Sequence, residues 1–414
     1  MKPRTLLSAA AAAIGIALAA GLQVALARPD APAAVAEPGV TPTQILVGGT
    51  APLSGPASAY ASIARGAEAY LKHVNARGGV HGRTIAYRYL DDGYDPGRSV
   101  QATRQLVEQD GVFAVFNSLG TEHNVAVRSY LNGRRIPQLF VASGATTFGR
   151  DAKRWPWTIG FQPSYAGEGW IYGTYLARVR RGARVAVLHQ NDEYGKDLLA
   201  GLRRGIAGST VRVVEVQSYE TADADVQSQV AALKASGADV LALFATPKFA
   251  SQAYASATKL GWSPLVLVNA VANASNVMRT AATGGAAKLV GNSLSIAYLK
   301  DPTDPRWADD SGIALYRTVL RRHAPRANAA DVFHVYGMAV AHELVRVLRA
   351  AGPQPTRGKA MAAARRLSDP ANPFLLPGIV VRTGANDGFP VENVVLQRWR
   401  DGRWQTFGGL WGPR

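Results

Sequence analysis

From residue 43 onward, short apolar runs rich in Val, Ile, Leu and Tyr alternate with segments of helical spacing. The segments between the runs are roughly 10 to 15 residues long, and this alternation is typical of βαβ units with a parallel sheet. The predicted strands of the first half are 45–50, 84–90, 112–116 and 138–141. Those of the second half are 184–188, 211–217, 240–244 and 265–268, with further β-like runs at 379–382 and 394–399.

A loop that contains Trp155, Pro156 and Trp157 divides this pattern into two similar halves. An open α/β sheet binds ligands outside the carboxyl ends of its strands, so two such halves predict a cleft between two lobes. The loops that follow predicted strands should line this cleft. They are 54–60, 117–121, 142–146, 190–194, 246–249 and 269–273.

The first residues have the pattern of a secretory signal peptide. Lys2 and Arg4 form a basic start, residues 6–20 are apolar, and 25–27 offer a small-x-small cleavage site. The apolar run is shorter than the roughly 20 residues that a membrane-spanning helix needs, which disfavours a membrane anchor. We therefore expect removal of residues 1–27 and export to the periplasm.

Composition indicates the domain organisation of the exported protein. Residues 28–42 are rich in Ala and Pro and predict a disordered leader, with folding from near Thr43. The rest of the 414-residue chain is longer than one hydrophobic core usually organises, which favours two domains. Apolar residues make up 47% and charged residues 18%, an ordinary globular balance. The chain has no cysteine, which excludes disulfides and lipidation on a thiol.

The formal net charge of +17 favours anionic partners or membrane surfaces. However, the Arg and Lys residues are spread thinly over predicted helices, with only a short cluster at 178–184. Export would also remove the protein from nucleic acid, so we expect no nucleic-acid partner. A solvated basic surface is the simpler interpretation of the charge than a dedicated anion-attracting role.

An ordered series of motifs covers nearly the whole chain after the leader. They are Leu-Ser-Gly-Pro at 53–56, Asn-Ala-Arg-Gly-Gly-Val-His-Gly at 75–82, Asp-Asp at 91–92, Asp-Pro at 95–96, Val-Ala-Ser-Gly-Ala at 141–145, Gln-Asn-Asp-Glu-Tyr-Gly-Lys-Asp at 190–197, Ala-Thr-Pro-Lys-Phe at 245–249 and Tyr-Leu-Lys-Asp-Pro-Thr-Asp-Pro at 298–305. With these motifs the chain resembles the branched-chain amino-acid binding proteins, which are periplasmic receptors of ABC importers.

The resemblance implies an α/β type I periplasmic-binding fold, in which two doubly wound parallel-sheet lobes are joined by three crossovers. We place the crossovers near 161–165, 294–298 and 376–380. Lobe 1 would then comprise 43–163 plus 296–377, and lobe 2 would comprise 164–295 plus 378–414. The alternation of strands and helices alone permits two sequential domains equally well.

The resemblance also implies where a ligand carboxylate would bind. Thr121 opens a helix, and the unpaired N–H groups and dipole of a helix start attract anions. In the resembled family a hydroxyl residue at this place binds the carboxylate, helped by a loop that corresponds to Ala142, Ser143 and Gly144. The alternative is that Thr121 only caps its helix.

Aromatic residues are implied to close on the ligand from both lobes. Tyr60 and Tyr194 match such positions, and Phe161 and Tyr165 lie at the first predicted crossover. Thr246 is a further candidate on the second lobe. An aromatic lining favours an apolar or flat ligand, although each of these side chains also suits plain packing.

Asn269 departs from the resembled pattern, because amino-acid receptors of this family carry a glutamate there that pairs with the ligand ammonium. Burying an ammonium without a charge partner costs several kcal/mol. We therefore expect an uncharged or anionic ligand, unless Glu122, Asp192 or Glu193 supplies the missing charge.

Catalytic and metal-binding motifs were considered as alternatives. The chain has neither a Gly-x-Ser-x-Gly elbow nor a phosphate-binding Gly-x-x-x-x-Gly-Lys loop. His342-Glu343 lacks a second histidine four residues on and is interpreted as a solvated helix face, and His123 as a surface helix residue. We expect no enzymatic activity, no cofactor and no metal site.

The sequence thus predicts a monomeric periplasmic substrate-binding protein of an ABC importer. Its partners would be the importer's inner-membrane permease and a small carboxylate, amide or amino-acid-like ligand. The alternatives are a periplasmic ligand sensor of the same fold, for which no membrane span follows Trp411, and an exported α/β enzyme.

Overall fold

The computed structural model describes residues 37–412, and the predicted signal peptide lies outside the described residues. The first sheet contains five parallel strands: β1 (Gln44–Ala51), β2 (Thr84–Asp91), β3 (Ala114–Phe116), β4 (Gln138–Val141) and β5 (Thr158–Gly160). Their spatial order is β2-β1-β3-β4-β5.

The remaining strands are β6 (Arg184–Gln190), β7 (Arg212–Tyr219), β8 (Val240–Phe244), β9 (Leu265–Val268), β10 (Ser293–Ala297), β11 (Ser368–Asp369), β12 (Val381–Arg382), β13 (Val394–Arg400) and β14 (Arg403–Trp411). The second sheet has the order β14-β13-β10-β9-β8-β6-β7. Its strands β6 to β10 are parallel, whereas β13 runs antiparallel to both β10 and β14. β11 and β12 form a small antiparallel pair.

The helices are α1 (Ala61–Asn75), α2 (Pro96–Arg104), α3 (Thr121–Gly133), α4 (Thr147–Arg150), α5 (Tyr165–Val179), α6 (Glu193–Ile206), α7 (Gln227–Ala235), α8 (Pro247–Lys259), α9 (Ser275–Ala281), α10 (Ala287–Val290), α11 (Ser311–His323), α12 (Val332–Ala350) and α13 (Arg357–Ala364). Among the described residues, no helix combines the length and apolarity that a membrane crossing requires.

Both main sheets carry apolar side chains on both faces. Successive strand side chains point to opposite faces, so Val240 and Ala242 of β8 enter one core while Leu241 and Leu243 enter another. The first of these cores continues into the first sheet, where it contains Val47. Helices cover both faces, and the predicted two-lobed α/β fold is confirmed.

The last crossover lies later than predicted. Residues 378–390 were assigned to the second lobe, but they hydrogen-bond to the first. Gly388 N donates to Gly149 O (2.9 Å), and Thr383 Oγ1 donates to Ala364 O (2.7 Å). Because β12 pairs with β11, the chain joins the second sheet only at β13.

The ordered chain also begins before Thr43. Leu46 N donates to Gly39 O (2.7 Å), and Val40 forms a bridge with Ile45. The turn that allows this pairing requires φ = +76° at Gly39, a conformation that favours glycine. Residues 37–42 of the predicted leader therefore belong to the fold, and residues 28–36 lie outside the described residues.

Candidate functional site

A cleft lies between the two sheets and is lined from both lobes. Of the nine residues predicted for the site, six line this cleft. They are Tyr60, Thr121, Ala142, Tyr165, Tyr194 and Thr246. The other three, Ser143, Gly144 and Asn269, lie behind this lining and position it.

The start of α3 provides hydrogen-bond donors to the cleft. Gly120, with φ = +106°, precedes the helix, and no side chain caps the first turn. The alternative role of Thr121 as a cap is therefore not observed. Thr121 Oγ1 lies 2.7 Å from Ser143 Oγ, which also accepts from Ala145 N (3.1 Å). Whichever hydroxyl donates within the pair, one hydroxyl proton is left for a ligand oxygen.

Gly144 permits close packing rather than lining the cleft. A Cβ at this position would overlap Pro163 O and the ring of Tyr165. Tyr165 N donates to Gly144 O (2.8 Å), and the ring of Tyr165 meets that of Tyr194 edge to face at 4.9 Å. The loop after β4 thus fixes the aromatic wall of the cleft.

Tyr60 links the two lobes across the cleft. Its hydroxyl donates to Val271 O (2.9 Å), and its ring packs edge to face on Phe333 at 5.1 Å. Burial raises the pKa of Tyr60, Tyr165 and Tyr194 well above the usual tyrosine value, so these hydroxyls remain neutral. The lobes are therefore in contact, and their aromatic residues present neutral hydroxyl groups.

Asn269 is fully buried and does not line the cleft. When its amide nitrogen faces the carbonyls of Leu243 and Ala245, both at 3.2 Å, its oxygen accepts from the hydroxyl of Tyr194 at 3.0 Å. Any influence of Asn269 on a ligand therefore passes through the position of Tyr194.

The acids considered as charge substitutes lie beside the cleft rather than in its lining. Glu122 Oε1 accepts from Glu193 N (3.3 Å) between the lobes, and Asp192 Oδ1 accepts from Gly195 N (3.1 Å) at the start of α6. Burial, reinforced by the charge of Glu122, raises the pKa of Asp192 to about 6. Within the described part of the chain, Asp301 is the only acid in the lining, which contains no Lys, Arg or His.

His123 is buried rather than a surface residue. Its ring packs against that of Tyr94 in a tilted arrangement, with 4.4 Å between the ring centroids, and Tyr94 lines the cleft. Burial lowers the pKa of His123, which favours its neutral form. His123 therefore supports the wall of the cleft from behind.

A second group of polar side chains lies outside the cleft lining, and we call it the α12 acid cluster: His342, Glu343 and Asp369. Glu343 is completely buried, which corrects its interpretation as part of a solvated helix face. His342 Nε2 lies 3.1 Å from Asp369 Oδ2. Arg346 Nε lies 3.5 Å from Asp369 and 3.7 Å from Glu343. Each of the three cluster residues offers one ligand atom, and these atoms lie within 4.8 Å of one another.

A family model for periplasmic binding proteins matches residues 44–403, well over half of the chain.

Curated relatives match over shorter regions. The chain is 28% identical over 199 residues to Leu/Ile/Val-binding protein homolog 3 of Brucella melitensis, covering 48% of this chain and 53% of the relative. It is 25% identical over 189 residues to an amino acid binding protein of Pseudomonas aeruginosa, covering 43% and 47%. The chain thus spans about half the length of these curated relatives.

Solved structures match over most of the chain. A branched-chain amino acid ABC transporter protein from Thermus thermophilus with bound valine superimposes with a TM-score of 0.77 and 18% identity, covering 90% of this chain and 96% of that one. A fatty acid ABC transporter substrate-binding protein from Thermomonospora curvata gives a TM-score of 0.73 and 21% identity, covering 91% and 94%. At these identities the likeness shows the fold.

Proposed function

Because the chain belongs to the periplasmic binding protein family, we propose that it captures a small carboxylate-bearing ligand in the periplasm and delivers it to an ABC importer. The observation that carries this proposal is the uncapped first turn of α3 together with the Thr121–Ser143 hydroxyl pair beside it. Both open into a cleft that the two lobes enclose. Neutral donors and a helix start are sufficient to bind a carboxylate without a cationic side chain.

The names of the structural relatives support a carboxylate as the shared chemical group. One relative is described with bound valine and another as a receptor for fatty acids, and both classes of compound carry a carboxylate. The ligand of this chain is accordingly proposed to be a carboxylate or amino-acid-like molecule with an apolar portion against the tyrosine wall. We also propose that the protein releases this ligand chemically unchanged.

Thermal-shift screening of the exported, processed protein against amino acids, amides, and aliphatic and aromatic acids tests this function. A compound that binds only the folded state raises the melting temperature by mass action. Calorimetric titration should then show that Thr121→Ala weakens carboxylates by about 1 to 3 kcal/mol, the range for a lost charge-assisted hydrogen bond.

The matched control is Thr356→Ala, because Thr356 also stands at a helix start, where its side chain accepts from Lys359 N at 3.2 Å. This variant should lower stability but leave the affinity unchanged. The proposal fails if no compound raises the melting temperature, or if carboxylates bind Thr121→Ala as tightly as the native protein. Mass spectrometry of the incubated compound should detect no product.

A further inference from the structure

Two side-chain amides, those of Asn273 and Gln397, line the cleft and share one hydrogen-bond acceptor. Asn273 Nδ2 donates to Ile296 O at 2.9 Å, and Gln397 Nε2 donates to the same oxygen at 3.0 Å. Because a carbonyl oxygen only accepts, these contacts fix which end of each amide carries the nitrogen. Asn273 Oδ1 and Gln397 Oε1 therefore face away from Ile296 O, and neither receives a hydrogen bond from a described residue.

The carboxylate of Asp301 lines the same cleft. Its Oδ1 accepts from Thr303 N (2.8 Å) and Thr303 Oγ1 (2.7 Å), and its Oδ2 accepts from Ser275. A carboxylate offers about four acceptor positions, so Asp301 can accept a further hydrogen bond from a ligand. Asp301 forms no ion pair within residues 37–412, and Arg279 donates to the hydroxyl of Thr303 instead (3.5 Å). This region of the lining is therefore rich in acceptors and negatively charged.

These acceptors and Thr121 belong to different elements of the cleft lining. Gln397 belongs to β13, and Asn273 follows β9. Tyr194 follows β6, and its ring meets that of Tyr165 in the wall next to Ser143. Two strand spacings separate β6 from β9 in the sheet, which is about 10 Å at the usual spacing. We call the part lined by Asn273, Gln397 and Asp301 the acceptor end.

We infer that the acceptor end binds an N–H-bearing group of the ligand, such as an ammonium, a guanidinium or a primary amide. This inference rests on the proposed function and adds a second polar group to the ligand, distinct from its carboxylate. An apolar ligand portion at this end would bury two amide oxygens that receive no hydrogen bond and would shield the charge of Asp301 from water, a loss that buried sites do not tolerate well. A group with several N–H donors satisfies all three side chains.

Calorimetric titration with matched pairs of compounds tests the inference. Each pair shares a carbon skeleton and a carboxylate, and one member adds the nitrogen: pentanoate with 5-aminopentanoate, benzoate with 4-aminobenzoate, and norleucine with lysine. We expect the nitrogen-bearing member of each binding pair to bind at least about tenfold more tightly, because unpaired buried acceptors penalise the other member.

Two variants locate the effect. Asp301→Asn removes the charge at constant shape, and Gln397→Met removes the amide oxygen at similar volume. Each should reduce the preference for the nitrogen-bearing member about fivefold or more, partly because the nitrogen-free member binds more tightly once the unpaired acceptor or charge is removed. The matched control is Gln405→Met on β14, because Gln405 contacts Asp401 outside the cleft lining and should change neither affinity.

The outcomes separate the inference from the proposed function. If the nitrogen-free members bind as tightly as their partners, or if both cleft variants keep the native preference, the inference is overturned and ligand capture stands. If no member of any pair binds although another carboxylate of the thermal-shift screen does, the inference is overturned and the proposed function stands. Loss of folding in Gln397→Met leaves the decision to Asp301→Asn.

Discussion

The cleft and the α12 acid cluster both contain polar atoms without a hydrogen-bond partner among the described residues, Glu343 Oε2 among them, but those of the cleft belong to residues that line a cavity. In the cluster, His342 and Arg346 lie against Asp369, and Asn372 Nδ2 donates to Glu343 Oε1 at 2.8 Å. In the cleft, the first turn of α3 and the amide oxygens of the acceptor end have no partner from the described residues. Burial of an acid therefore does not identify a binding site, whereas unused donors and acceptors that face a cavity do.

The two regions also differ in whether their contacts lie within one lobe or join both lobes. Burial raises the pKa of Glu343 to about 8, and its neighbours are fixed by contacts within one lobe. Residues of the cleft come from both lobes, and the Tyr60 hydroxyl bond to Val271 joins them. We therefore expect variants of the α12 acid cluster to change stability and variants of the cleft to change affinity.

The largest effect is expected from Asp369→Ala. This change removes the carboxylate that lies against His342 and Arg346, and loss of a hydrogen bond to a charged group costs about 1.5 to 3 kcal/mol of unfolding free energy. Denaturant unfolding should show this loss, while the affinity for the best compound of the screen stays unchanged. Asp309→Ala, at an exposed position, serves as the control. A large loss of affinity in Asp369→Ala would contradict the separation of the two regions.

A pH effect is expected from Glu343→Gln. Because the folded-state pKa of Glu343 is about 8, well above its usual value, the folded protein retains a proton that the unfolded chain loses between about pH 5 and 8. Native stability should therefore fall as pH rises through this range, by at most about 1.4 kcal/mol per pH unit for this group. The glutamine variant lacks this titration and should lose less stability.

The pH profile of that variant should not be flat. Burial also raises the pKa of Glu168 to about 7 and of Asp192 to about 6, and both groups remain. Unfolding free energies of native and variant protein, measured at matched pH values from 5 to 8, decide the matter. Identical slopes for the two proteins would show that Glu343 does not retain a proton in the folded state.

A smaller effect is expected from Tyr60→Phe, which removes the hydroxyl that donates to Val271 O across the cleft. Loss of one such hydrogen bond costs about 1 kcal/mol, so affinity should fall about fivefold through faster dissociation. Tyr130→Phe is the control, because its hydroxyl contacts Glu108 on the surface. Equal dissociation rates for the two variants would exclude a role of Tyr60 in holding the two lobes together around the ligand.

The sequence predicted the elements that depend on local patterns. All eight strands expected between residues 45 and 268 are present as β1–β4 and β6–β9, because each is an apolar run followed by a helix. The three-residue β5 and the edge strand β14 were not predicted. β5 is too short for a recognisable period, and β14 depends on antiparallel pairing with β13. The family inferred from the motifs is confirmed by the family model.

The site was only partly predictable. Thr121, Tyr60 and Tyr194 were found because they follow strands in recognisable motifs, and all three line the cleft. Asn273 and Gln397 lie far apart in the sequence and meet only through the carbonyl of Ile296. No local sequence pattern indicates that these two side chains meet. Likewise, the direction in which the side chain of Asn269 points depends on packing behind Tyr194.

A crystal structure of the protein grown with the tightest compound of the screen would show whether the cleft is the ligand site. We predict one bound molecule between the lobes, with its carboxylate within hydrogen-bond distance of Thr121 Oγ1 and the first N–H groups of α3. Density for the compound at His342, Glu343 and Asp369, with the cleft left empty, would contradict it.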